Sequence, residues 1–523
     1  MTLLLGLDVG TTSVKAVVYR TDGIAVGSSS LPTPTHIPRP GWAFYRPDEL
    51  WQTAVAAIRG ALAGVPNPEE IASVAVASVG ESGVLLDAAG EATTDSIAWF
   101  DTRTRPQATW LAERIGKDEL FARSGLSLQP IFSLNKLLWH REHEPDAWVR
   151  SMRWLMLADY VAYRLCGEAA TDLSLASRTL LLDLRQKCWD EQTLAEVEID
   201  PGLLAPLVPG GTFLGNVTPD AAADTGLPVT AIVAAGGQDH VCGALAAGVT
   251  QPGQMLNSLG TAEAVFLPIA QPMADPRAGR QGYTQGAHVV GGGYYAFGGQ
   301  YTSGASIEWL RDLLGATDDS VAYEQLIAGA ERVPAGSLGV LFLPHLRLAN
   351  PPYDDPRSRG ALIGLTMDAG RDAVTRAIFE GLALESRHSL ESLLVYPEVI
   401  APESVVAIGG GTRNDLLMRV KASVTNRIFH IVEAQEATAL GVALLGGIGA
   451  GVYESVNDAV GAMRYGRQAI APEPIDVPVY ETIYNEVYRR FYPSIAPLSQ
   501  AISDIQATTV VGPDDTWSAS HHE

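Results

Sequence analysis

Cysteine and basic residues are scarce in this chain of 523 residues. Only three cysteines occur, Cys166, Cys188 and Cys242, and their spacing matches no zinc-binding pattern. A sparse, odd set of cysteines does not build a disulfide framework and is typical of the reducing cytoplasm, which is the predicted location. Lysine and arginine number 36 against 59 aspartate and glutamate residues, so the formal net charge is -23. Since no basic block or stripe is present, nucleic acid and membrane surfaces are not expected as partners.

Long uncharged apolar runs are also lacking. The one tempting stretch, residues 437–453, is rich in glycine and alanine and is shorter than the roughly 20 residues that cross a bilayer. A helix buried between layers of a globular protein is the preferred interpretation. At the N-terminus, Asp8 interrupts the apolar run early and no basic region precedes it, so no signal peptide is expected.

The composition that is present is ordinary for a globular α/β protein, with 47% hydrophobic and 18% charged residues. The length exceeds what a single core accommodates, so two domains are expected. The predicted division is a first domain at residues 1–248, a second at residues 249–495 and a C-terminal tail at residues 496–523. The last part of the tail, from about residue 508, is predicted to be disordered.

The most informative stretch is Gly-Gly-Gln-Asp-His at residues 236–240. It follows an apolar run, residues 229–235, that reads as a strand, and it opens a small-residue helix at residues 241–249. A strand that delivers a carboxylate into a glycine turn presents a buried, positioned base, so Asp239 is a candidate general base. An alternative remains open, in which Asp239 merely caps the helix.

Two hairpins with a Gly-Thr tip form a second pattern. Strands at residues 3–10 and 14–19 flank a Gly-Thr-Thr-Ser turn, and residues 254–267 repeat this logic around Leu-Gly-Thr. The first tip places Asp8 beside hydroxyls and exposed amide groups, which can hold a phosphate and a metal-bound water together. An ordinary turn is the alternative for this short motif. The recurrence after about 250 residues predicts two related halves.

A glycine-rich turn follows the strand predicted at residues 405–408. Its sequence, Gly-Gly-Gly-Thr-Arg-Asn at residues 409–414, allows a backbone to approach an adenosine closely and puts Asn414 at a helix start. A turn used only for packing is an equal alternative. As a dinucleotide fingerprint the stretch is incomplete and does not support NAD binding. A Walker A loop is also missing, because Gly116-Lys117 is followed by Asp118.

Other segments complete the expected architecture. Residues 31–47 read as a proline-rich loop, and a helix capped by Asp48 is expected to run to residue 62. Residues 369–394 form a long amphipathic helix in this interpretation, and residues 478–492 form another near the end.

In combination, these segments resemble the FGGY family of carbohydrate kinases, within the superfamily that also contains actin and the heat-shock chaperone ATPases. Residues 7–15, LDVGTTSVK, are similar to the family's first phosphate hairpin. Further blocks resemble the family in the same order along the chain: PGW at 40–42, WFDTR at 99–103, ASRTL at 176–180, GQD at 237–239, LGT at 259–261, GASIEW at 304–309, GGG at 409–411 and EATALG at 436–441. The resemblance implies an α/β fold of two actin-like (ribonuclease H-like) domains with a catalytic cleft between them.

The resemblance also implies ATP and Mg2+ as cofactors. Asp239 matches the general base that takes a proton from the sugar hydroxyl, and Asp8 would hold Mg2+ through water. Lys15 would add positive charge near the phosphates, although a solvated strand lysine is an equal interpretation. The predicted ATP and phosphate contacts are Thr11, Thr12, Ser13, Lys15, Gly260, Thr261, Gly304, Glu308, Gly410, Gly411 and Asn414.

The sugar side departs from the known patterns of the family. Xylulokinase-like members carry Gln-Met-His where this chain has Gly80-Glu81-Ser82, and glycerol-kinase-like members carry Arg-Glu, of which only Glu81 is kept. Ile131 replaces a substrate-binding tyrosine. The implied substrate contacts are Glu81, Ser82, Trp99, Asp101, Gln238 and Asp239.

Glu81 could accept two hydroxyl hydrogen bonds from the acceptor, and its alternative is a structural carboxylate at a turn. The predicted substrate is a small sugar or polyol, with a ketopentose such as xylulose favoured. Two other classes stay open: a nucleotide-switching ATPase without a sugar pocket and a catalytically weak sugar-binding regulator. A homodimer is left open as an assembly.

Overall fold

The computed structural model describes residues 2–314, 323–434 and 436–509. Most of the segment predicted to be disordered, residues 510–523, lies outside the described residues. The preceding part of the tail belongs to a helix that ends at residue 509.

The strands in chain order are β1 (Leu3–Val9), β2 (Ser13–Arg20), β3 (Ala25–Pro32), β4 (Thr35–Arg39), β5 (Trp42–Tyr45), β6 (Ile71–Ser78), β7 (Gly83–Leu86), β8 (Ser96–Ile97), β9 (Arg153–Met156), β10 (Thr171–Asp172), β11 (Leu182–Asp183), β12 (Cys188–Trp189), β13 (Leu207–Val208), β14 (Phe213–Asn216), β15 (Ile232–Gln238), β16 (Leu256–Leu259), β17 (Glu263–Ile269), β18 (Thr284–Ala287), β19 (Tyr294–Gln300), β20 (Leu341–Leu343), β21 (Ala361–Ile363), β22 (Ser404–Ile408), β23 (Ile428–Val432) and β24 (Arg467–Ile470).

The helices are α1 (Pro47–Leu62), α2 (Arg105–Arg114), α3 (Lys117–Ser124), α4 (Ser133–His143), α5 (Pro145–Arg150), α6 (Leu157–Cys166), α7 (Leu173–Ala176), α8 (Glu191–Glu196), α9 (Pro219–Thr225), α10 (Asp239–Ala246), α11 (Arg277–Arg280), α12 (Gly304–Leu313), α13 (Tyr323–Glu331), α14 (Arg371–Leu393), α15 (Asp415–Thr425), α16 (Ala437–Gly449), α17 (Val456–Gly461), α18 (Val477–Ile483) and α19 (Arg489–Thr509). Short 3-10 turns lie at Pro68–Glu70, Pro201–Leu203, Ser337–Gly339 and Gly410–Arg413, and a π-helical turn lies at Tyr484–Tyr488.

Two large sheets share one topology. The first has the order β14-β15-β6-β1-β2-β3 and the second the order β18-β19-β17-β16-β22-β23-β24. In each, an antiparallel hairpin (β1–β2 or β16–β17) is followed outward by two parallel strands (β6 and β15, or β22 and β23) and an antiparallel edge strand (β14 or β24). The two related halves predicted from the Gly-Thr hairpins are therefore present.

Strand β1 is buried on both faces. Leu3, Leu5 and Leu7 belong to a core with residues of α1 and α6, whereas Leu4 belongs to a second core with residues of α10 and α16. This alternation follows from the geometry of a strand, in which successive side chains point to opposite faces. Because both faces need apolar cover, the strand reads as a nearly continuous apolar run.

Helix α16 links the two halves. It belongs to the second half of the chain, yet it packs across β1, β6 and β15 of the first sheet and against α10. Its Leu440 and Leu444 share one core with Leu4 and Ala234 of the first sheet and Phe266 of the second. The helix predicted to be buried between layers therefore joins both sheets. Among the described residues, no helix combines the length and the apolar character that crossing a membrane requires.

Two local predictions for residues 31–62 were wrong. The expected proline-rich loop contains β4 and β5, which form an antiparallel ribbon with β8. Pro38 has no N–H group to donate to the β4–β5 ladder. It is tolerated because the register shifts between His36 and Arg39, so no backbone donor is needed at this position. Helix α1 begins at Pro47, and Asp48 lies in its first turn instead of capping it. Proline at the first helical position and a carboxylate next to the helix dipole account for this start.

The crossing of α10 and α16 yields a stability prediction. A Cβ atom on Gly441 would lie 1.8 Å from the Cys242 carbonyl oxygen, whereas a Cβ on Gly243 would meet nothing nearer than 3.9 Å. We expect Gly441→Ala to lower the free energy of unfolding by about 1–3 kcal/mol, because backbone atoms must move apart. Gly243→Ala on the same helix pair is the matched control and should be neutral or stabilising. Equal melting temperatures for the two variants in a thermal unfolding experiment would contradict this prediction.

Candidate active site

A cavity of about 900 Å³ is lined by residues from both halves of the chain. The sequence-predicted residues that line it are Thr11, Glu81, Trp99, Gln238, Asp239, Gly260 and Thr261. Arg178, Glu263 and Tyr295 line it as well. The predicted acceptor side, the predicted base and the tips of both Gly-Thr hairpins thus face one space.

The parallel pairing in the first sheet explains this convergence. Asp8 and Gly237 are both in register with Ala77, and Gln238 is in register with Ser78. Strands β1, β6 and β15 therefore end at the same edge of the sheet. Because ligands of open α/β sheets bind beyond the carboxyl ends of parallel strands, residues that follow these ends are brought to the same place.

Asp239 is the first residue of α10, and the residue that caps the N-terminus of this helix is the preceding one, Gln238. The side chain of Gln238 accepts a hydrogen bond from the Val241 backbone N–H at 3.1 Å, and its amide group donates to the Asp239 carboxylate. The carboxylate also accepts from the His240 backbone N–H at 2.7 Å. Gln238 therefore satisfies the helix end, and the interpretation of Asp239 as a mere cap was wrong.

The environment of Asp239 raises its pKa above the ordinary value of an aspartate. Burial is the largest cause, and the Glu81 carboxylate also raises the pKa, whereas His240 and Arg178 oppose the shift. A carboxylate with a raised pKa is a stronger proton acceptor than an ordinary aspartate. The site therefore combines positioning with increased basicity.

Glu81 forms a largely buried ion pair with Arg178. The Arg178 Nε and Nη2 atoms both donate to Glu81 Oε1, at 2.8 and 2.5 Å, and the two side chains are 12% and 8% exposed. The backbone carbonyl of Glu81 accepts from Lys136 Nζ at 2.8 Å. A carboxylate with a guanidinium beside it presents both acceptors and donors to a ligand in the cavity.

Gly80 explains how Arg178 reaches this position. A Cβ atom on Gly80 would lie 2.5 Å from Arg178 Cγ and 3.0 Å from Gln238 Cγ, so the arginine occupies the space of a side chain at position 80. Arg178 was not among the residues predicted for the site, although it lies in the polar block at residues 176–180 that resembles the family. A glycine beside Glu81 together with an arginine in a polar block was the available signal.

Two predicted acceptor contacts do not line the cavity. Asp101 is saturated by the Arg103 guanidinium, with Nε–O distances of 3.0 Å, and by the Ala43 backbone N–H at 2.5 Å. Ser82 is fully buried; its backbone carbonyl accepts from the Leu157 N–H at 3.2 Å, and its hydroxyl has no hydrogen-bond partner among the described residues. Asp101 therefore braces the segment around Ala43, and the geometry gives no support to substrate contacts by either residue.

The first hairpin is connected to the acceptor side through Trp99, whose Nε1 donates to Thr11 Oγ1 at 2.8 Å. Thr12 is exposed and Ser13 is half-buried at the same tip. Lys15 forms an ion pair of 2.8 Å with Glu436, just before α16. Its charge is thus partly compensated, while its predicted phosphate contact stays a prediction.

The predicted nucleotide side lies around the second hairpin. The backbone N–H of Gly304 donates to the Gly260 carbonyl at 3.1 Å, which attaches the start of α12 to the hairpin tip. On that helix, Glu308 pairs with Arg311 at 2.8 Å. Gly304 and Glu308 are not among the residues that line the cavity.

Asn414 serves as the cap of α15. Its side chain accepts from the Leu417 backbone N–H at 3.0 Å and donates to the Tyr323 hydroxyl at 2.8 Å. Both polar atoms of the side chain therefore have internal partners. Gly410, Gly411 and Asn414 lie outside the cavity wall, and their contacts with a nucleotide stay predictions.

Asp8 has the features of a cation-binding carboxylate. Its Oδ1 atom is buried and has no hydrogen-bond partner among the described residues. Burial, followed by the charge of Asp239, raises the pKa of Asp8 to about 8. Within residues 2–314, 323–434 and 436–509 no cluster of three or more metal-ligating side chains occurs. A cation beside Asp8 would therefore take most of its ligands from water and from a bound substrate.

Comparison with known proteins covers most of the chain. Residues 3–246 match the FGGY family of carbohydrate kinases, N-terminal domain, and residues 255–450 match the C-terminal domain of that family. Xylulose kinase of Bacillus subtilis (strain 168) is 29% identical over 510 residues, covering 97% of this chain and 100% of that protein. Glycerol kinase of Dechloromonas aromatica (strain RCB) is 32% identical over 491 residues, covering 89% of this chain and 92% of that protein.

A solved structure is similar over nearly the whole chain. The crystal structure of xylulose kinase from Rhodospirillum rubrum has a TM-score of 0.88 at 30% identity, covering 95% of this chain and 99% of that chain. The predicted α/β fold of two actin-like (ribonuclease H-like) domains is thereby confirmed.

The buried carboxylate of Asp8 yields a pH-dependent prediction. Its pKa is about 8 in the folded chain against an ordinary value of 3.8, so the folded state holds a proton that the unfolded state releases. Stability is therefore lost as the pH rises from about 4 to about 8. We expect Asp8→Asn to raise the melting temperature in EDTA-containing buffer at pH 8, by an amount that corresponds to a few kcal/mol.

The increase in melting temperature caused by Asp8→Asn should become smaller as the pH is lowered towards 4. Asp101→Asn is the matched control, because its carboxylate is paired with Arg103 and its loss should lower the melting temperature. A melting temperature of Asp8→Asn at or below that of the wild type at pH 8 would contradict the prediction.

Proposed function

Because the chain belongs to the FGGY family of carbohydrate kinases, we propose that it transfers the γ-phosphoryl group of ATP to a hydroxyl group of a small sugar, with Asp239 as general base. One observation carries this proposal: Asp239, the Glu81–Arg178 pair and the tips of both Gly-Thr hairpins line a single cavity. The members of this set supply a proton acceptor, an acceptor-binding pair and phosphate-binding backbone to the same volume.

The acceptor hydroxyl would donate its proton to the Asp239 carboxylate as its oxygen approaches the γ-phosphorus. Phosphoryl transfer asks mainly for positioning and for neutralisation of charge, so one well-placed carboxylate suffices for the proton. The raised pKa of Asp239 favours this acceptance. Gln238 holds the carboxylate by its amide group and prevents free rotation.

The two hairpin tips would bind the phosphates. Exposed residues Thr12, Gly260 and Thr261 lie at these tips, and backbone N–H groups in tight turns bind anions. Asp8, with its unpartnered Oδ1 atom, fits a Mg2+ ion held through water. When bound, Mg2+ would neutralise charge on the phosphates. The net charge of the chain is -23, so binding of an anionic nucleotide depends on such local donors.

The Glu81–Arg178 pair would recognise the acceptor. Glu81 accepts hydrogen bonds from hydroxyl groups, and Arg178 donates to a hydroxyl or carbonyl oxygen. A ketopentose such as xylulose presents both kinds of group and is the favoured substrate. The similarity to xylulose kinases supports this choice. Because positions 80–82 differ from both family patterns, another sugar, an aldonate or a polyol remains the competing acceptor.

A nucleotide-switching ATPase without an acceptor is the less favoured alternative. Such a protein does not need a carboxylate–guanidinium pair beside the base, whereas Glu81 and Arg178 are both held in the cavity wall. A catalytically weak sugar-binding regulator is also less favoured, because it does not need a proton acceptor such as Asp239 in the same cavity.

We also propose two lobes at residues 1–248 and 249–495, with α16 of the second lobe packed against the first sheet. A location in the cytoplasm is a proposal that rests on the sequence, and a homodimer stays open as an assembly. The three cysteines are free, as a reducing compartment would leave them.

The kinase proposal predicts the effect of Asp239→Asn. Coupled ATP turnover should be stimulated by one acceptor from a panel of ketopentoses, aldonates, deoxysugars, glycerol and four-carbon polyols. Asp239→Asn should lower the stimulated kcat by about 100-fold to 10,000-fold, because the general base is lost. Asp220→Asn, in the exposed first turn of α9, is the matched control and should retain full turnover. Stimulated turnover that survives in Asp239→Asn would refute the assignment.

The cavity wall predicts a specific defect for Arg178→Met. We expect kcat/KM for the acceptor to fall about tenfold to 100-fold, because a charged hydrogen bond is lost, while KM for ATP stays within about twofold. Gly80→Ala should produce a smaller defect of the same kind, since its Cβ would lie 2.5 Å from Arg178 Cγ. Equal losses of kcat/KM for ATP and for the acceptor would contradict a specific role of Arg178 in acceptor binding and would indicate an effect on folding.

A further inference from the structure

The second half of the chain contains a fully buried ion pair behind the second hairpin. Lys421 Nζ lies 2.7 Å from Glu263 Oε1, and both side chains are 0% exposed. The same carboxylate accepts hydrogen bonds from Asn257 Nδ2 at 2.9 Å, from the Ser386 hydroxyl and from Ser303 Oγ at 3.0 Å. Both oxygens of Glu263 are therefore occupied by partners from within the protein.

The partners of Glu263 come from separate elements around the predicted nucleotide site. Glu263 begins β17, two residues after Thr261 at the hairpin tip. Ser303 directly precedes α12 and its first residue, Gly304. Lys421 lies on α15, the helix that Asn414 caps after the glycine-rich turn. One carboxylate thus connects the phosphate hairpin, the start of α12 and the helix behind the adenosine turn.

The same segments also touch one another directly. The Gly260 and Thr261 carbonyls accept from the backbone N–H groups of Gly304 and Ala305, both at 3.1 Å. A Cβ atom on Gly409 would lie 2.4 Å from the Leu259 carbonyl oxygen, so the glycine-rich turn packs against the hairpin. The geometry of each segment therefore depends on the others, and the ion pair lies where they meet.

Stability alone does not require an ion pair at this place. Desolvation of two buried charges offsets their attraction, and replacing both by apolar residues of similar volume is often neutral for folding. Directional hydrogen bonds differ from apolar packing in that they specify one arrangement of the elements they join. Four polar groups from different elements surround this one carboxylate, an arrangement suited to holding those elements in fixed positions.

We propose that the Glu263–Lys421 pair positions the phosphate-binding hairpin relative to the adenosine-binding turn, and thereby sets the affinity of the site for the nucleotide. The inference rests on the proposed use of ATP. Glu263 and Lys421 are positioning residues in this role, because both Glu263 oxygens and the Lys421 Nζ atom have partners within the protein. Glu263 lines the cavity, whereas the predicted base Asp239 and the Glu81–Arg178 pair have their hydrogen-bond partners outside this network.

The test uses the double variant Glu263→Met/Lys421→Met, which removes both charges and retains a similar volume. We expect the melting temperature to fall about as much as in the control double variant Arg376→Met/Glu380→Met, because each double variant leaves buried donors without their carboxylate acceptor. KM for ATP and the calorimetric Kd for ADP should both rise at least about tenfold, because small displacements of binding groups weaken binding and catalysis strongly. KM for the acceptor should stay within about twofold.

The matched control is the buried pair Arg376–Glu380 on α14, whose Nε–O distance is 2.9 Å. Its other partners are Gly336, Ser337 and Tyr480, none of which is a predicted nucleotide contact. Arg376→Met/Glu380→Met should leave KM for ATP and the Kd for ADP unchanged. A rise of the same size in this control would overturn the proposal.

Three further outcomes test the two proposals. An unchanged Kd for ADP in Glu263→Met/Lys421→Met would overturn the positioning role. Equal rises of KM for ATP and KM for the acceptor would also overturn it. Wild-type protein that binds ADP yet phosphorylates no acceptor would refute the proposed kinase function, while the ADP titration would still test the ion pair. The single variant Lys421→Met serves as a folding control, since it leaves a buried carboxylate unpaired and should lower the melting temperature.

Discussion

The packing of α16 across the first sheet is the contact on which the arrangement of the two halves depends. This helix is contributed by the second half of the chain, and it supplies the apolar cover that one face of β1, β6 and β15 requires. Gly441 allows it to approach α10 at the Cys242 carbonyl. Since α10 begins at Asp239, the helix that carries the proposed base at its start is held against a helix of the other half. The fold thus ties the position of Asp239 to the interface between the halves.

Charge compensation organises the cavity in two ways. Carboxylates with a structural role are paired with a cation: Asp101 with Arg103, and Glu263 with Lys421. The two carboxylates proposed to act on ligands differ from these: Asp8 Oδ1 has no hydrogen-bond partner among the described residues, and Asp239 has a raised pKa. Incomplete pairing lowers stability, and binding sites commonly accept that loss because their ligands supply the missing partners. Glu81 combines both features, because it forms an ion pair with Arg178 and also lines the cavity.

Local patterns predicted most of the framework. Both Gly-Thr hairpins and the helix that starts after Asn414 occur where the sequence places them, whereas the strand before Asp239 runs through Gln238 and replaces the predicted glycine turn. These features depend on neighbours within a few residues, so period and turn chemistry reveal them. The ribbon of β4 and β5 was missed because its prolines suggested a loop. Its pairing with β8 comes from residues about 50 positions away, at Ile97 and Ser96.

The amino-acid sequence by itself determined the family, the duplicated α/β architecture and the identity of Asp239 as the central carboxylate, because these depend on motifs of a few adjacent residues. Only the tertiary structure decided which polar residues face the cavity. Arg178 reaches Glu81 across 97 positions through the space left by Gly80, and Asp101 turns away to Arg103 and Ala43. The cap at the start of α10 was likewise assigned to Gln238 instead of Asp239. Such choices depend on which side chains occupy a shared volume, and that volume forms only when distant segments pack together.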